Sequence, residues 1–367
     1  MRATKPGRKA ASAFTMVELL MSTVVLAVLM ITCVTAVDAV RRSVTSVRAK
    51  AQQFREARQA FELITRTLSQ ATLNTYWDYY YDSTGSNEAP TKEAVAPSAY
   101  IRQSELQFQL GRAAVLMGGG ATPEKNPGHA VFFQAPLGLT QGTGSLGNLL
   151  NARGFAIQFG DDAANRPPFF VDHEIPVRHR YRLIEYRPPA ERTVALAGNA
   201  IYTHPADWFR QNLDTSTRVV ADNIILLVLS PRVSEEDARV AKKPAYSLAP
   251  QYTYNSLDVD NTTPEVEKVS ISKITGEAVQ GTQHLLPPFV TVTMVALDEV
   301  SGARWAEKNG NEPVDILQQA GAPFTEAAAY ADDLAAVEAW LDGQKLHYET
   351  FSTTVALRNA RWDARAF

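Results

Sequence analysis

A run of residues without charge lies near the N-terminus of the chain. Residues 19–37 contain no acidic or basic side chain, and Glu18 directly precedes them. At about 1.5 Å of rise per residue, a helix of this length spans roughly the hydrocarbon core of a bilayer. The pattern predicts one transmembrane helix. It also raises the question of what neutralises Glu18, because an ionised carboxylate in lipid is costly unless it is paired.

Beyond this run, apolar side chains recur at alternating spacings of four and three. The positions are Val40, Val44, Val47, Ala51, Phe54, Ala57, Phe61, Ile64, Leu68 and Ala71. This spacing predicts an amphipathic helix that continues the transmembrane segment to about Leu73. The stripe suits either a coiled coil with another chain or burial against a β-sheet of the same chain. We favour burial against the sheet.

An aromatic cluster, YWDYYY at residues 76–81, ends the predicted helix. It is followed by the loop-like sequence DSTGSNEAPTKEAVAP. Crowded aromatic side chains form either a binding surface or a hydrophobic anchor between a helix and a sheet. We favour the anchor.

From residue 100 onward the chain is dominated by strand patterns. Runs rich in β-branched and aromatic residues alternate with glycine- and proline-rich turns, and they are ELQFQL, HAVFFQAP, GFAIQFG, YRLIEYR, VVADNIILLVLSPR, PPFVTVTMVALDE and TFSTTVALRN. The alanine-rich sequence FTEAAAYADDLAAVEAWLDG predicts a late helix ending at Gly343. The expected fold class is α+β, with a long N-terminal helix packed on a mostly antiparallel sheet that carries loop insertions.

Composition and charge narrow the functional classes. The chain has 367 residues and a formal net charge of -3, so nucleic acid is not an expected bulk partner. Its one cysteine, Cys33, can form no internal disulfide. Arg2, Lys5, Arg8 and Lys9 precede the apolar run, which predicts a cytoplasmic N-terminus and a periplasmic bulk.

Two processing routes compete with a retained helix. An ordinary cleaved secretory signal is disfavoured because the apolar run is longer than a signal core and begins with an acid. A lipoprotein signal at Cys33 is disfavoured because the preceding Ile31 and Thr32 differ from the small residues expected there.

The N-terminal sequence resembles a known motif. Ala13, then Phe14-Thr15-Met16-Val17-Glu18 and the apolar run, is similar to the prepilin-type cleavage and methylation motif of type IV prepilins and type II secretion pseudopilins. Ala13 stands where that family prefers glycine. The resemblance implies that a prepilin peptidase cuts between Ala13 and Phe14, that Phe14 is N-methylated, and that Glu18 is an assembly determinant.

The expected organisation follows from this resemblance. It comprises a basic leader at 1–13, a transmembrane helix at 14–37, an amphipathic helix and aromatic junction at 38–81, and a periplasmic β-rich pseudopilin domain at 100–367. The implied partners are other pilin or pseudopilin subunits, the prepilin peptidase and the lipid bilayer of the inner membrane.

Downstream segments carry a second resemblance. The strand headed by VADN, the PPFVTVTMVALDE strand and the C-terminal FSTTVALRN are laid out as in J-type minor pseudopilins and their PilW-like relatives. YIRQSEL, HAVFFQAPLG, YRLIEYRPP and LPPFVTVTMVALDE resemble the verrucomicrobial Verru_Chthon cassette C proteins. The J-type resemblance implies a subunit at a filament tip, together with two other minor members.

The sequence offers few catalytic or metal-binding signatures. The sequence contains no GxSxG, HExxH, Walker or CxxC motif, and no enzyme activity or cofactor is predicted. In VDHEIPVRHR, a solvated loop is favoured over a metal site formed by Asp172, His173, Glu174 and His179.

The acidic stretch SLDVDNTTPEVEK offers oxygen ligands of the kind that calcium takes. Asp258, Asp260 and Asn261 are its weak calcium candidates, with Glu265 and Glu267 behind them. It lacks EF-hand spacing, so a solvated loop is the default interpretation.

Two function classes remain. We favour a non-enzymatic minor pilin or pseudopilin subunit. The alternative is a membrane-anchored periplasmic binding protein or adhesin whose insertions, around residues 82–99 and 232–283, contact a ligand. A membrane-tethered hydrolase ranks third, because no nucleophile and base can be named.

Overall fold

A computed structural model of the chain divides into two compact units, Met1–Gln53 and Phe54–Phe367. It describes residues 16–81, 83–86, 88–90, 95–140, 149–163, 166, 176–190, 208–210, 213–261, 270–271 and 278–362. The side chains of Glu18 and of residues 38–53 lie outside this description.

The described elements confirm an α+β protein with antiparallel sheets. The helices are α1 (Met16–Leu68), α2 (Ala113–Met117), α3 (Leu213–Ser216), α4 (Glu235–Ala241), α5 (Glu299–Lys308), α6 (Ile316–Ala320) and α7 (Tyr330–Gly343). The strands are β1 (Tyr76–Tyr80), β2 (Ala99–Gln103), β3 (Gln109–Arg112), β4 (His129–Pro136), β5 (Leu150–Asp161), β6 (His179–Tyr186), β7 (Thr217–Asp222), β8 (Ile224–Arg232), β9 (Tyr254–Asn255), β10 (Ser270–Ile271), β11 (Ala278–Val279), β12 (Phe289–Leu297) and β13 (Tyr348–Ala356).

Two antiparallel sheets form the centre of the second unit. One has six strands in the order β7-β6-β5-β4-β3-β9, and the other has three in the order β13-β12-β8. Strand β8 contacts β4, β5 and β6, so the sheets pack face to face. The main hydrophobic core lies between them, and every residue of β8 except Arg232 is buried.

The C-terminal part of α1 packs on this core. Ala57, Ile64, Leu68 and Ala71 of the predicted stripe are buried. The rings of Phe61 and Phe351 lie 5.7 Å apart, which places this part of the helix against β13. Burial against the chain's own sheet is therefore confirmed from Phe54 onward, and the stripe positions from Val40 to Ala51 lie outside the described side chains.

Helix α1 ends at Leu68, five residues before the predicted end. The backbone N–H of Thr72 donates to the Gln134 carbonyl on β4 at 2.9 Å. Asn359 donates to the Ala71 carbonyl at 3.2 Å. These hydrogen bonds to other elements replace the next helical turn, which sequence periodicity alone does not reveal.

The single strand predicted at VVADNIILLVLSPR is wrong. The run divides at Asn223, which has a left-handed φ of 59°. Strand β7 before it belongs to the six-stranded sheet, and β8 after it belongs to the three-stranded sheet. Asparagine tolerates this conformation better than most residues, and here it lets the chain cross between the two layers.

Two predicted helix and strand ends shift for local reasons. The late helix begins at Tyr330, because Phe324 has a left-handed φ of 45° and a separate 3₁₀ turn covers Ala327–Ala329. The strand PPFVTVTMVALDE ends at Leu297, because the Asp298 side chain accepts a hydrogen bond from Ser301 N at 2.6 Å and caps α5.

Candidate functional site

The N-terminal apolar segment is the first candidate site. Helix α1 contains Leu19–Val37, which is long and apolar enough to cross a membrane. Its large side chains, such as Leu19, Met30 and Val37, are exposed in the described chain. Length and composition are those of a membrane anchor or a signal sequence near the N-terminus.

Polar side chains in this segment satisfy themselves locally. The hydroxyls of Ser22, Thr23, Thr32 and Thr35 each donate to the carbonyl three residues earlier, at 2.8 to 2.9 Å. Cys33 is a free, exposed thiol. These four hydroxyls therefore keep a hydrogen-bond partner within the helix even in hydrocarbon, where no water is present to bond them.

The three processing and assembly residues are only partly described. Glu18 lies in the first turn of α1, and its side chain is outside the description. Ala13 and Phe14 lie outside the described residues. Their predicted roles therefore stay predictions.

The calcium candidates belong to a tightly hydrogen-bonded loop. Asn261 accepts from Asn255 N at 2.7 Å and donates to Thr282 Oγ1 at 2.8 Å. The Asp258 carboxylate accepts a hydrogen bond from the side-chain amide of Asn255 at 3.0 Å, and burial raises the pKa of this carboxyl. Asn261 thus acts as a clamp between two parts of the loop.

Other metal-ligating side chains of the described chain lie apart from one another. There, no three or more His, Cys, Asp and Glu side chains come together in a way that could hold a metal ion. Asp260 is half-buried beside the clamp, while Glu265 and Glu267 lie outside the described residues. Of the VDHEIPVRHR candidates, Asp172, His173 and Glu174 are likewise outside it.

The remaining histidine of that motif has a structural position. His179 begins β6 and pairs in register with Asp161 of β5. Its ring stacks on Phe159, with centroids 6.2 Å apart. This contact packs His179 against β5 at the start of β6.

The aromatic cluster forms a hairpin with an exposed face. Strand β1 pairs with β2, with Tyr79 opposite Tyr100 and Trp77 opposite Arg102. Trp77 is 69% exposed and Tyr100 is 64% exposed, while Tyr80 on the other face is buried. The predicted hydrophobic anchor is therefore wrong for Trp77 and Tyr79.

Strand alternation explains this outcome. Cross-strand partners share a face, so Trp77, Tyr79 and Tyr100 point the same way, and the rings of Tyr79 and Tyr100 lie 5.5 Å apart. Three large aromatic side chains on one solvent-facing surface are typical of interaction sites. The sequence YWDYY shows which side chains share a face, but it does not show that AYIRQ is the strand that pairs with it.

A shallow groove of 430 Å³ lies beside α2 and α6. Its polar groups are engaged: Arg112 donates to the Pro323 carbonyl at 3.0 Å, and Asp315 caps α6 by accepting from Gln318 N at 2.9 Å. The groove thus offers mainly apolar lining, including Leu317 and the exposed Val115.

Comparison with known proteins adds no relative. No protein-family model, curated protein or solved structure matches this chain.

Proposed function

We propose that this chain is a non-enzymatic minor pilin or pseudopilin subunit of a type IV pilus-like or type II secretion-like assembly. It is a single-pass inner-membrane protein with a cytoplasmic N-terminus and a periplasmic bulk. The observation that carries the proposal is the uncharged, exposed helix Leu19–Val37, directly preceded by the motif from Ala13 to Glu18.

The proposed assembly chemistry concerns charge in lipid. Cleavage between Ala13 and Phe14 creates a cationic amine on Phe14, which is N-methylated, and makes Glu18 the fifth residue of the new chain. When two subunits pack side by side, the amine of one neutralises Glu18 of the other. A slipped register leaves a charge unpaired in lipid, so this pair selects one register of insertion.

The architecture of the second unit supports the same proposal. A helix whose C-terminal part packs on an antiparallel sheet is the arrangement that the pilin-like resemblance implies. Within that family, J-type or PilW-like minor subunits and the Verru_Chthon cassette C group are the proposed relatives. A place at the filament tip follows only from the J-type resemblance.

N-terminal peptide and intact mass spectrometry on protein from native membranes tests the processing step. We expect a chain that begins at N-methylated Phe14. A chain that retains Met1 or the basic leader contradicts prepilin processing and leaves Glu18 without its amine.

Substitution of Glu18 tests assembly separately. Glu18→Ala should leave a folded, membrane-inserted protein that no longer joins filaments. Glu56→Gln, at an exposed position on the same helix, is the matched control and should assemble normally. Normal incorporation of the Glu18 variant refutes the charge-pair mechanism.

A second candidate is a membrane-anchored binding protein or adhesin. The exposed aromatic face of Trp77, Tyr79 and Tyr100 supports it, and this face borders the insertion at 82–99. The test measures binding of a soluble polysaccharide to the full chain in detergent, with tryptophan fluorescence as the readout. Binding that Trp77→Ala removes, without a pilin partner, favours this candidate; no binding disfavours it.

A further inference from the structure

Two arginines lie near each other where β6 ends beside β5. Gly154–Tyr186 is the last pair of the β5–β6 ladder at this end, Arg153 and Arg187 are the residues just beyond it, and the positive charge of Arg187 acts on Arg153. Like charges held close together in this way are destabilising. This position is unfavourable for the isolated protein unless an anion lies nearby.

The nearest described anion is one carboxylate. Glu185 is 1% exposed, and its Oε1 and Oε2 lie 3.0 Å from Arg153 Nη1 and 2.6 Å from Arg218 Nε. Arg187 has no ion pair within the described part of the chain. Arg187 adds its charge at Arg153, so three guanidinium groups and one carboxylate leave a local formal charge of about +2.

Several donors at this position are buried without a partner. In the described chain, Arg153 Nε, Arg187 Nε and Ser216 Oγ make no hydrogen bond, and Arg153 Nη1 has only its ion pair with Glu185. Arg153 is only 6% exposed. The backbone N–H of Arg187 donates to the Ser216 carbonyl at 2.8 Å, which places Ser216 beside the pair. Buried polar groups are nearly always satisfied, so what is missing is an acceptor.

Electrostatics at this position agree with a missing anion. Burial lowers the pKa of Arg153 to about 10, Glu185 opposes that effect, and the positive charges of Arg187 and Arg218 add to it. Arg180, on the same strand as Glu185, differs: burial acts against its charge too, but the hydrogen bond and charge of Glu299 raise its pKa. Arg180 pairs with Glu299, whereas Arg153 shares the single carboxylate of Glu185 with Arg218.

We propose that Arg153, Arg187 and Arg218 form a binding site for a small dianionic oxyanion, of which inorganic phosphate is the simplest. Guanidinium forks match the paired oxygens of such ions. A dianion balances the local charge, and the burial of Arg153 limits the ligand to a small one. The side chain of Arg218 is half-exposed and marks the opening to solvent. This site is independent of the proposed assembly function.

Thermal unfolding of the full chain in detergent tests the site, with inorganic phosphate compared against sodium chloride at equal ionic strength. We expect phosphate to raise Tm above the chloride series. Isothermal titration should give phosphate affinity at least tenfold weaker in Arg187→Gln. No phosphate-specific shift in the unsubstituted protein overturns the proposal, whether the site is absent or already filled by a carboxylate of the chain.

Arg187→Gln is the informative variant because the described ion pairs of Glu185 are with Arg153 and Arg218 and not with Arg187. Without phosphate, it should unfold at the same temperature as the unsubstituted protein or higher, since it removes a like-charge contact. Arg239→Gln, at an exposed arginine of α4, is the control and should keep the full phosphate response. Equal phosphate shifts in Arg187→Gln and the unsubstituted protein contradict the site.

A lipid headgroup carries the same chemistry, so phosphatidic acid in the micelles forms a second arm. We expect free phosphate to raise Tm and phosphatidic acid to leave it unchanged. A rise in Tm with the lipid but not with free phosphate contradicts a site for a small free ion.

Discussion

His129 on β4 accepts a hydrogen bond from the backbone N–H of Leu229 on β8, with 3.0 Å between Nδ1 and N. One fully buried imidazole therefore links the two sheets across the main core. Its ring also lies against Tyr252, with centroids 4.7 Å apart. Because Nδ1 is the acceptor, this hydrogen bond requires that Nδ1 carry no proton.

We expect acid to destabilise the fold through His129. Burial lowers the pKa of its imidazole to about 4, below the ordinary value of 6.5. Between these values the unfolded chain takes up a proton that the folded chain does not. Stability is therefore lost as pH falls from about 6.5 to about 4, by about 3 kcal/mol in total.

Thermal unfolding of the full chain in detergent at pH 7 and pH 4.5 measures this effect. His129→Gln keeps a neutral acceptor for Leu229, so its loss of Tm on acidification should be clearly smaller. An equal loss in both proteins assigns the acid sensitivity to other groups.

Gly302→Ala should destabilise the contact of α5 with the sheet crossover. A Cβ at position 302 would lie 2.4 Å from Asn223 Oδ1, and Asn223 is buried and donates to Glu299 at 3.1 Å. We expect a cost of roughly 1 to 3 kcal/mol in unfolding free energy, as for other overpacked sites. Gly343→Ala, also helical but with open space around it, is the control and should be neutral.

The two faces of the aromatic hairpin should respond differently to truncation. Tyr80→Ala removes a buried ring and should cost about 3 kcal/mol. Trp77→Ala removes an exposed ring and should change unfolding free energy by less than about 0.5 kcal/mol. Chemical unfolding of both variants checks this, and a large loss for Trp77→Ala would restore a structural role for the outer face.

Asn261→Ala should loosen the loop between β9 and the turn at Thr282. It removes the acceptor for Asn255 N and a donor to Thr282 Oγ1. Leaving such buried groups unpaired costs about 2 kcal/mol. Hydrogen exchange at the backbone N–H of Asn255 should be faster in the variant, and an unchanged rate would rule out the clamp.

Calcium should not stabilise this loop. The amide oxygen of Asn261 is already hydrogen-bonded, and an oxygen of Asp258 accepts from Asn255. We therefore expect the same Tm in millimolar calcium and in EDTA. A calcium-dependent rise that Asp260→Asn removes would support the calcium site that the acidic stretch suggests.

Some elements were predictable because their patterns are local. The runs of β-branched and aromatic residues in HAVFFQAP and YRLIEYR predicted strands, and β4 and β6 lie there, with β6 ending at Tyr186. The stripe from Ala57 to Leu68 predicted burial of α1 because its members lie on one helix face. Such signals need no knowledge of the partner element.

Other features depend on which segments meet. The exposure of Trp77 and Tyr79 required the pairing of β1 with β2, and the surplus of positive charge required that β5, β6 and β7 bring three arginines together. Neither segment carries a signal that names its partner, because pairing between distant residues is decided by the whole chain.

The sequence by itself determined the uncharged helical segment Leu19–Val37, the α+β class and the positions of most long strands, since apolar periodicity acts over a few neighbouring residues. Only the tertiary structure decided that Asn223 passes the chain from one sheet to the other and that His129 joins them. It also decided that the arginines lie around one carboxylate. These relationships arise from packing two layers together, which brings residues far apart in sequence into one low-dielectric interior.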